Sequence, residues 1–302
     1  MGNAVITYVN DDLSEQVTYD FPEHRLYIRK LFLSDYPGYS STDHWHNDIE
    51  FIAVVSGEME YSVNGSIIHM GQGQGIFVNG RQLHYGFSPE HDECCFICVR
   101  SDPKLLCASP EYEREFVMPL LQNGACPYVF LDSAVPWQGS ILELLKKMHA
   151  SKKNMSSAPL RSLAALAEIW AFIYENVPGE QVSAVQDGDL MIVKAMMGFI
   201  QRDYRKKITL ADIAAAGCVG QSKCCRLFAK YCSGRSPVAY LNQYRLERST
   251  ELLRSTDMNM TEIAMAAGFG SASYYAETFK KWTGKSPTEY RRFVRGAMEV
   301  QS

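Results

Sequence analysis

Four side chains in the first hundred residues have the types and spacing of a metal-holding set: His44, His46, Glu50 and His84. His44, His46 and Glu50 share parity, so an extended strand points them to one face, and His84 can join from a second strand. Imidazole nitrogens and a carboxylate oxygen are donors suited to a divalent first-row ion. All seven histidines, at 24, 44, 46, 69, 84, 91 and 149, lie within residues 1–189. The rest of the chain carries a different chemistry. There Lys223, Arg226, Lys230, Lys280, Lys281, Lys285, Arg291 and Arg292 gather on two similar stretches, and such cations neutralise nucleic-acid phosphates.

The 302 residues, at roughly 100–200 per domain, predict two domains. With 46% hydrophobic and 21% charged residues the chain is globular, which excludes disordered and low-complexity classes. The formal net charge of −4 hides a polarity: residues 1–189 hold 12 basic and 25 acidic groups, residues 190–302 hold 18 and 9. No stretch reaches the ~18–20 apolar residues of a spanning helix, and the first ten residues lack a basic-then-apolar leader. These features predict a cytoplasmic protein with no membrane partner. The nine cysteines are an odd count set in apolar runs, and are read as reduced and mostly buried. Cys95 and Cys98 have CxxC spacing, but strand alternation sends the two sulfurs to opposite faces.

The elements that must position these groups divide likewise. From about 20 to 100 the pattern is strands and turns: Phe51–Val55 is a β-rich run, Glu58–Val63 alternates, and Asn64-Gly65 signals a tight hairpin. The glycines at 71, 73 and 75 run into a strand at Ile76–Val78 rather than a helix, so they read as turn residues and not as a phosphate cradle. Helices are expected over about 138–176, where Leu163, Leu166, Ile169 and Ile173 form either a subunit interface or a cover on the β unit. A linker follows at 178–189, and everything after it reads as helical.

The basic part repeats itself at an offset of 50: IAAAGCVG from 213 matches IAMAAGFG from 263, and GRSPVAY from 234 matches GKSPTEY from 284. Each copy reads as an Ala-rich helix, a Gly-containing turn and an amphipathic helix, giving helix-turn-helix motifs at about 210–231 and 260–282. Ser236-Pro237 is an N-cap followed by Pro, opening a helix to about Arg254 with a stripe at Ala239, Leu246, Ser249 and Leu253. Its ~17 residues span about 26 Å, a separation comparable to the ~34 Å between successive major grooves. Exposed positions near the starts of the second helices are candidate base readers: Gln221, Ser222, Lys223 and Arg226, then Ser271, Ser273, Tyr274 and Glu277. Lys230, Lys280 and Lys281 are candidate phosphate contacts.

Over residues 190–298 the chain resembles the AraC-type transcriptional regulators, whose second motif ends in a pattern matched by Gly268, Phe269, Phe279, Lys280, Thr283, Gly284, Ser286, Pro287, Tyr290 and Arg291. It departs at Cys218, where the first turn normally has glycine. The spacing from Gly38 through His44, His46 and Glu50 to Gly57, with His84 further on, resembles the two cupin motifs, and Asn79 stands where the second has proline. The resemblance implies an α+β chain of two domains. Residues 1–177 are an antiparallel cupin-like β-barrel (about 20–100) with two following helices, and residues 190–302 an all-α double helix-turn-helix domain.

The function implied is a bacterial regulator, by family weight an activator working with RNA polymerase, that binds double-stranded DNA. A small effector, sugar-like in class, controls it from the cupin domain, and the first domain joins a homodimer. No enzyme activity or cofactor is required. A divalent metal at His44, His46, Glu50 and His84 is one role for that set, and polar lining of the effector pocket is the other. The competing reading is a metal-dependent cupin dioxygenase or isomerase with an appended helical domain.

Overall fold

A computed structural model describes residues 15, 17–152, 156–177 and 188–299. The linker expected at 178–189 lies outside the described residues as far as 187, and Gly188 already begins a helix. Seven strands are formed: β1 (Leu26–Phe32), β2 (Ile49–Val63), β3 (Ser66–Gly71), β4 (Gln74–Val78), β5 (His84–Phe87), β6 (Cys94–Ser101) and β7 (Tyr128–Asp132). The central strand β2 runs for 15 residues because its apolar residues serve two sheets in turn. Residues 49–57 pair with β6 and residues 50–53 with β4, while residues 58–63 pair with β3 and residues 60–63 with β5. A register shift between Val54 and Ser56 separates the halves, and such a bulge bends a strand.

The expected barrel is therefore two antiparallel sheets sharing β2, ordered β1-β6-β2-β4-β7 and β3-β2-β5, not a closed ring among the described residues. β7, which pairs with β4, lies beyond the expected limit at 100. The hairpin falls at Asn64-Gly65, both with positive φ (50° and 86°), as a two-residue turn matching strand twist requires. Helices α1 (Pro136–Ser151) and α2 (Ala158–Asn176) cover one face of the larger sheet. Leu166, Ile169, Trp170 and Ile173 of α2 pack with Ile141 and Leu145 of α1 against Phe51, Phe77 and Val99. The stripe thus covers the sheet, and α2 exposes Leu160, Ala164, Ala167, Ala171 and Tyr174 together with Arg161, Glu168, Glu175 and Asn176.

Apart from short helical turns among residues 22–121, the other helices are α3 (Gly188–Asp203), α4 (Leu210–Ala216), α5 (Gln221–Tyr231), α6 (Pro237–Ser255), α7 (Met260–Ala266), α8 (Ala272–Thr283) and α9 (Pro287–Glu299). The repeat extends to the caps: Thr209 with Asp212 opens α4, and Asn259 with Glu262 opens α7, each as a reciprocal capping box. Small Ala214 and Ala264 are buried, letting each first helix approach its partner closely. In the first turn Cys218 takes a φ of 53° at the place that Gly268 fills in the second with 85°. Ser236 caps α6 as expected, its side chain accepting from the Ala239 N–H. Ala239 itself is exposed, and the buried face of α6 runs through Tyr240, Leu241, Tyr244, Leu246, Ser249 and Leu253. At 19 residues the helix spans about 28 Å. No helix of the described residues is long and apolar enough to cross a membrane.

Candidate functional site

The four predicted donors converge. His44 forms a bridge with His84 at the mouth of the strands, His46 follows two residues on, and Glu50 opens β2 opposite Arg100 of β6. All four are buried, and one ligand atom from each lies within 4.8 Å of the others. The backbone orients every ring in the same way. Each Nδ1 donates to a carbonyl two residues away: His44 to Thr42 at 2.8 Å, His46 to Asp48 at 3.0 Å, His84 to Gln82 at 2.9 Å. Carbonyls only accept, so each Nε2 faces the centre, the arrangement that prepares an imidazole to ligate.

Electrostatics follows from that packing. Burial pushes His44 down to about 3, leaving a neutral nitrogen donor. At His46 burial opposes protonation, but the hydrogen bond and charge of Glu50, 3.1 Å away, outweigh it and raise the value. Burial also works against ionised Glu50, yet the electrostatic pull of the neighbouring His84 ring, the hydrogen bond with His46 and the Arg100 guanidinium hold it well below the carboxylate range. Tyr61 donates to its other oxygen at 2.5 Å. His84 Nε2 is buried with no hydrogen-bond partner, an orphaned lone pair that a bound cation would satisfy. Three inward nitrogens and a carboxylate therefore fit a divalent ion.

Two groups that the sequence reading missed complete the site. Arg100 is buried with its guanidinium 4.0 Å over the Tyr27 ring, and Glu15 pairs with Arg100 while its Oε2 lies 3.2 Å from His44 Nε2. The only early signal for Arg100 was a cation ending an apolar strand, ECCFICVR. The space beside them is about 40 Å³, lined in part by His44, Glu50, Tyr61, Cys98 and Arg100, enough for a water. A larger cavity of about 600 Å³ adjoins it, reaching His46 and Glu15 and walled by Tyr19, Arg25, Asp48 and Lys104. The nine cysteines are all free, five of them buried and Cys218 exposed.

Gln221, Ser222, Arg226 and Lys230 are exposed on α5, and Ser273, Tyr274, Glu277, Lys280 and Lys281 on α8. Ser271 spends its hydroxyl capping α8, Lys223 pairs with Asp189 at 3.0 Å, and the Tyr274 hydroxyl accepts from Asn242. Arg291, grouped with the phosphate cations by sequence, instead donates to the Leu253 and Met258 carbonyls and fastens α9 to the end of α6.

The strands and the helical region meet around His44 and at the β2–β3 hairpin. Gly38 lies flush on α8, where an added Cβ would fall 2.2 Å from Trp282 Nε1. Thr42 donates to Glu247 of α6 at 3.0 Å. Arg235, between α5 and α6, donates to both oxygens of Asp43 at 2.6 and 2.8 Å. Trp45 packs on the core of the first motif with Lys194 of α3 over its ring at 4.5 Å. Gly65 abuts Lys230 at the end of α5, leaving no room for a Cβ, which would fall 1.8 Å from the carbonyl oxygen.

Residues 213–292 match a helix-turn-helix domain model and residues 32–100 a cupin domain model. An uncharacterised HTH-type transcriptional regulator of Bacillus subtilis, YdeC, is 30% identical over 252 residues, 82% of this chain and 85% of its own. The melibiose operon regulatory protein of Escherichia coli K12 is 24% identical over 272 residues, 85% of each chain. Among solved structures, an AraC-type DNA-binding-domain regulator from Chromobacterium violaceum is 25% identical, covers 34% of this chain and 92% of its own, and aligns with a TM-score of 0.33.

Proposed function

The chain belongs to the AraC-type helix-turn-helix transcriptional regulators with a cupin domain, and on that premise we propose that the buried donor set and the adjoining cavity form its sensing site. A divalent ion is held by His44, His46, Glu50 and His84. A small polar effector fills the cavity of about 600 Å³ beside it, a volume within the range of ligand pockets, whereas the inner space of about 40 Å³ is too small for a sugar. The site senses rather than turns over a substrate. Arg226 reads bases from α5, Glu277 reads them from α8, and Lys230, Lys280 and Lys281 contact phosphates.

The observation that carries this reading is the run of Thr42, Asp43 and His44. Two consecutive side chains bond to the DNA-reading region and the third belongs to the donor set. A ligand that favours one position of His44 thereby favours one docking of Arg235 and Glu247, as any effector must do to shift an equilibrium. The exposed stripe of α2, from Leu160 to Tyr174, is the face through which two copies pair, and activation proceeds through RNA polymerase. The test is titration of an operator fragment, selected from random sequence, with and without manganese or zinc at the site. A change in affinity that His84→Ala abolishes supports the reading, and identical isotherms refute it.

A further inference from the structure

We infer that Glu15 holds the place of the effector's own anionic group, so that the sensing site takes a carboxylate that displaces Glu15 from Arg100. The inference rests on the sensing reading above and gives the effector its chemical class. Arg100 is a fixed cation. It sits within β6, in register with Tyr27 of β1 on one side and Glu50 of β2 on the other, and its guanidinium lies 4.0 Å over the Tyr27 ring. A guanidinium buried this deeply, its side chain 8% exposed, needs an anion beside it. Glu50 does not meet that need in full. Its Oε2 is 3.6 Å from Arg100 Nε, outside hydrogen-bond reach, while His46 engages it at 3.1 Å.

Glu15 supplies the anion, and it comes from outside the strands. Its carboxylate pairs with Arg100 through Nη1, and its backbone N–H donates to the Trp45 carbonyl at 2.9 Å. Arg100 Nε stays buried with no hydrogen-bond partner, so the chain's own carboxylate satisfies the cation only in part. The same side chain bounds two cavities. Arg100 lines the inner space of about 40 Å³ but not the larger one, whereas Glu15 lines both. A ligand in the cavity of about 600 Å³ therefore reaches Arg100 through the place that Glu15 occupies. A carboxylate fits there because it matches Glu15 in charge and shape, and arginine is the side chain best suited to recognise it. The rest of the ligand stays in the larger cavity, where Tyr19, Met118 and Leu121 offer apolar wall. Displacement also reports outward: Glu15 Oε2 lies 3.2 Å from His44 Nε2, and Trp45, to which Glu15 is bonded, packs on the core of the first motif.

The test is thermal melting of the full chain, in chelator and at fixed ionic strength, against increasing phenylacetate or its uncharged counterpart phenylacetamide. Phenylacetate should raise the wild-type melting temperature and phenylacetamide should not. Glu15→Gln removes the internal competitor and should bind phenylacetate about 10-fold or more tightly. Arg100→Lys should keep part of the preference for the acid, and Arg100→Gln should lose it. Circular dichroism establishes which variants are folded, and if Arg100→Gln is not, the comparison of wild type with Glu15→Gln decides. Equal responses to acid and amide, or unchanged or weaker binding of phenylacetate by folded Glu15→Gln, would overturn the inference. So would the absence of any response to phenylacetate in both wild type and Glu15→Gln. Each of these results leaves an ion-dependent operator affinity standing. Operator isotherms that ignore the ion while phenylacetate still binds would refute the ion reading alone, so the two failures are told apart.

Discussion

Replacing Asp43 by Asn tests whether the sensing and DNA-reading regions are latched. In the folded chain the Asp43 side chain is 4% exposed and that of Arg235 23%. Both carboxylate oxygens accept from one guanidinium nitrogen, which also lies over the rings of Tyr85 and Tyr240, while Nε donates to the Cys232 carbonyl. Removing one member of a buried pair costs about 3–5 kcal/mol because the other charge is stranded. Here the Cys232 carbonyl, the two rings and partial exposure offset some of it, leaving about 2–3 kcal/mol. That is about a 30- to 150-fold loss in the docking equilibrium. The assay is a double-mutant cycle of Asp43→Asn and Arg235→Gln by urea unfolding at pH 7, where a coupling energy above about 1.5 kcal/mol is expected. Coupling within about 0.5 kcal/mol of zero would show that the pair does not latch the regions, and the reasoning from Asp43 to His44 would fall with it.

Further outcomes follow from single residues. Arg226→Ala should weaken operator binding and relax preference at one base pair, by about 1–3 kcal/mol, and an equal loss on random DNA would make Arg226 a phosphate contact. Burial lifts Glu247 to about 7, with Asp43, Arg235, Thr42 and Gln243 facing it. Its folded-state value is thus above the unfolded one, so the stability it lends is complete below about pH 4.3 and lost as pH rises to about 7. Glu247→Gln should flatten that part of the stability profile measured by urea unfolding. Gly65→Ala places a methyl against the Lys230 carbonyl at a φ of 86°. It should lower stability by about 1–3 kcal/mol, visible as a lower melting temperature.

The sequence carried the local half of this architecture. The repeat, the capping residues and the amphipathic pattern placed α5 at Gln221–Tyr231, because helix signals lie within a few residues of each other. Motif spacing named the four donors for the same reason. What it could not carry depends on contacts between distant segments. β2 reads as two short strands until both sheets claim it. β7 is recruited from beyond the expected barrel. The α2 stripe was open between a partner and the sheet, and burial of Ile169 and Ile173 decided for the sheet. Glu15 has no periodic relation to His44, and Asp43 none to Arg235 192 positions away, so neither pairing leaves a local trace.

The central claim, that the cationic faces of α5 and α8 read DNA, is tested most directly by the salt dependence of DNA binding by the full chain. Lys230, Lys280 and Lys281 reaching phosphates predict that log K falls against log salt with a slope of about −3, and that replacing both Lys280 and Lys281 by Ala makes the slope shallower by about 2. Binding that ignores salt, or a slope that the double substitution leaves unchanged, would contradict the account.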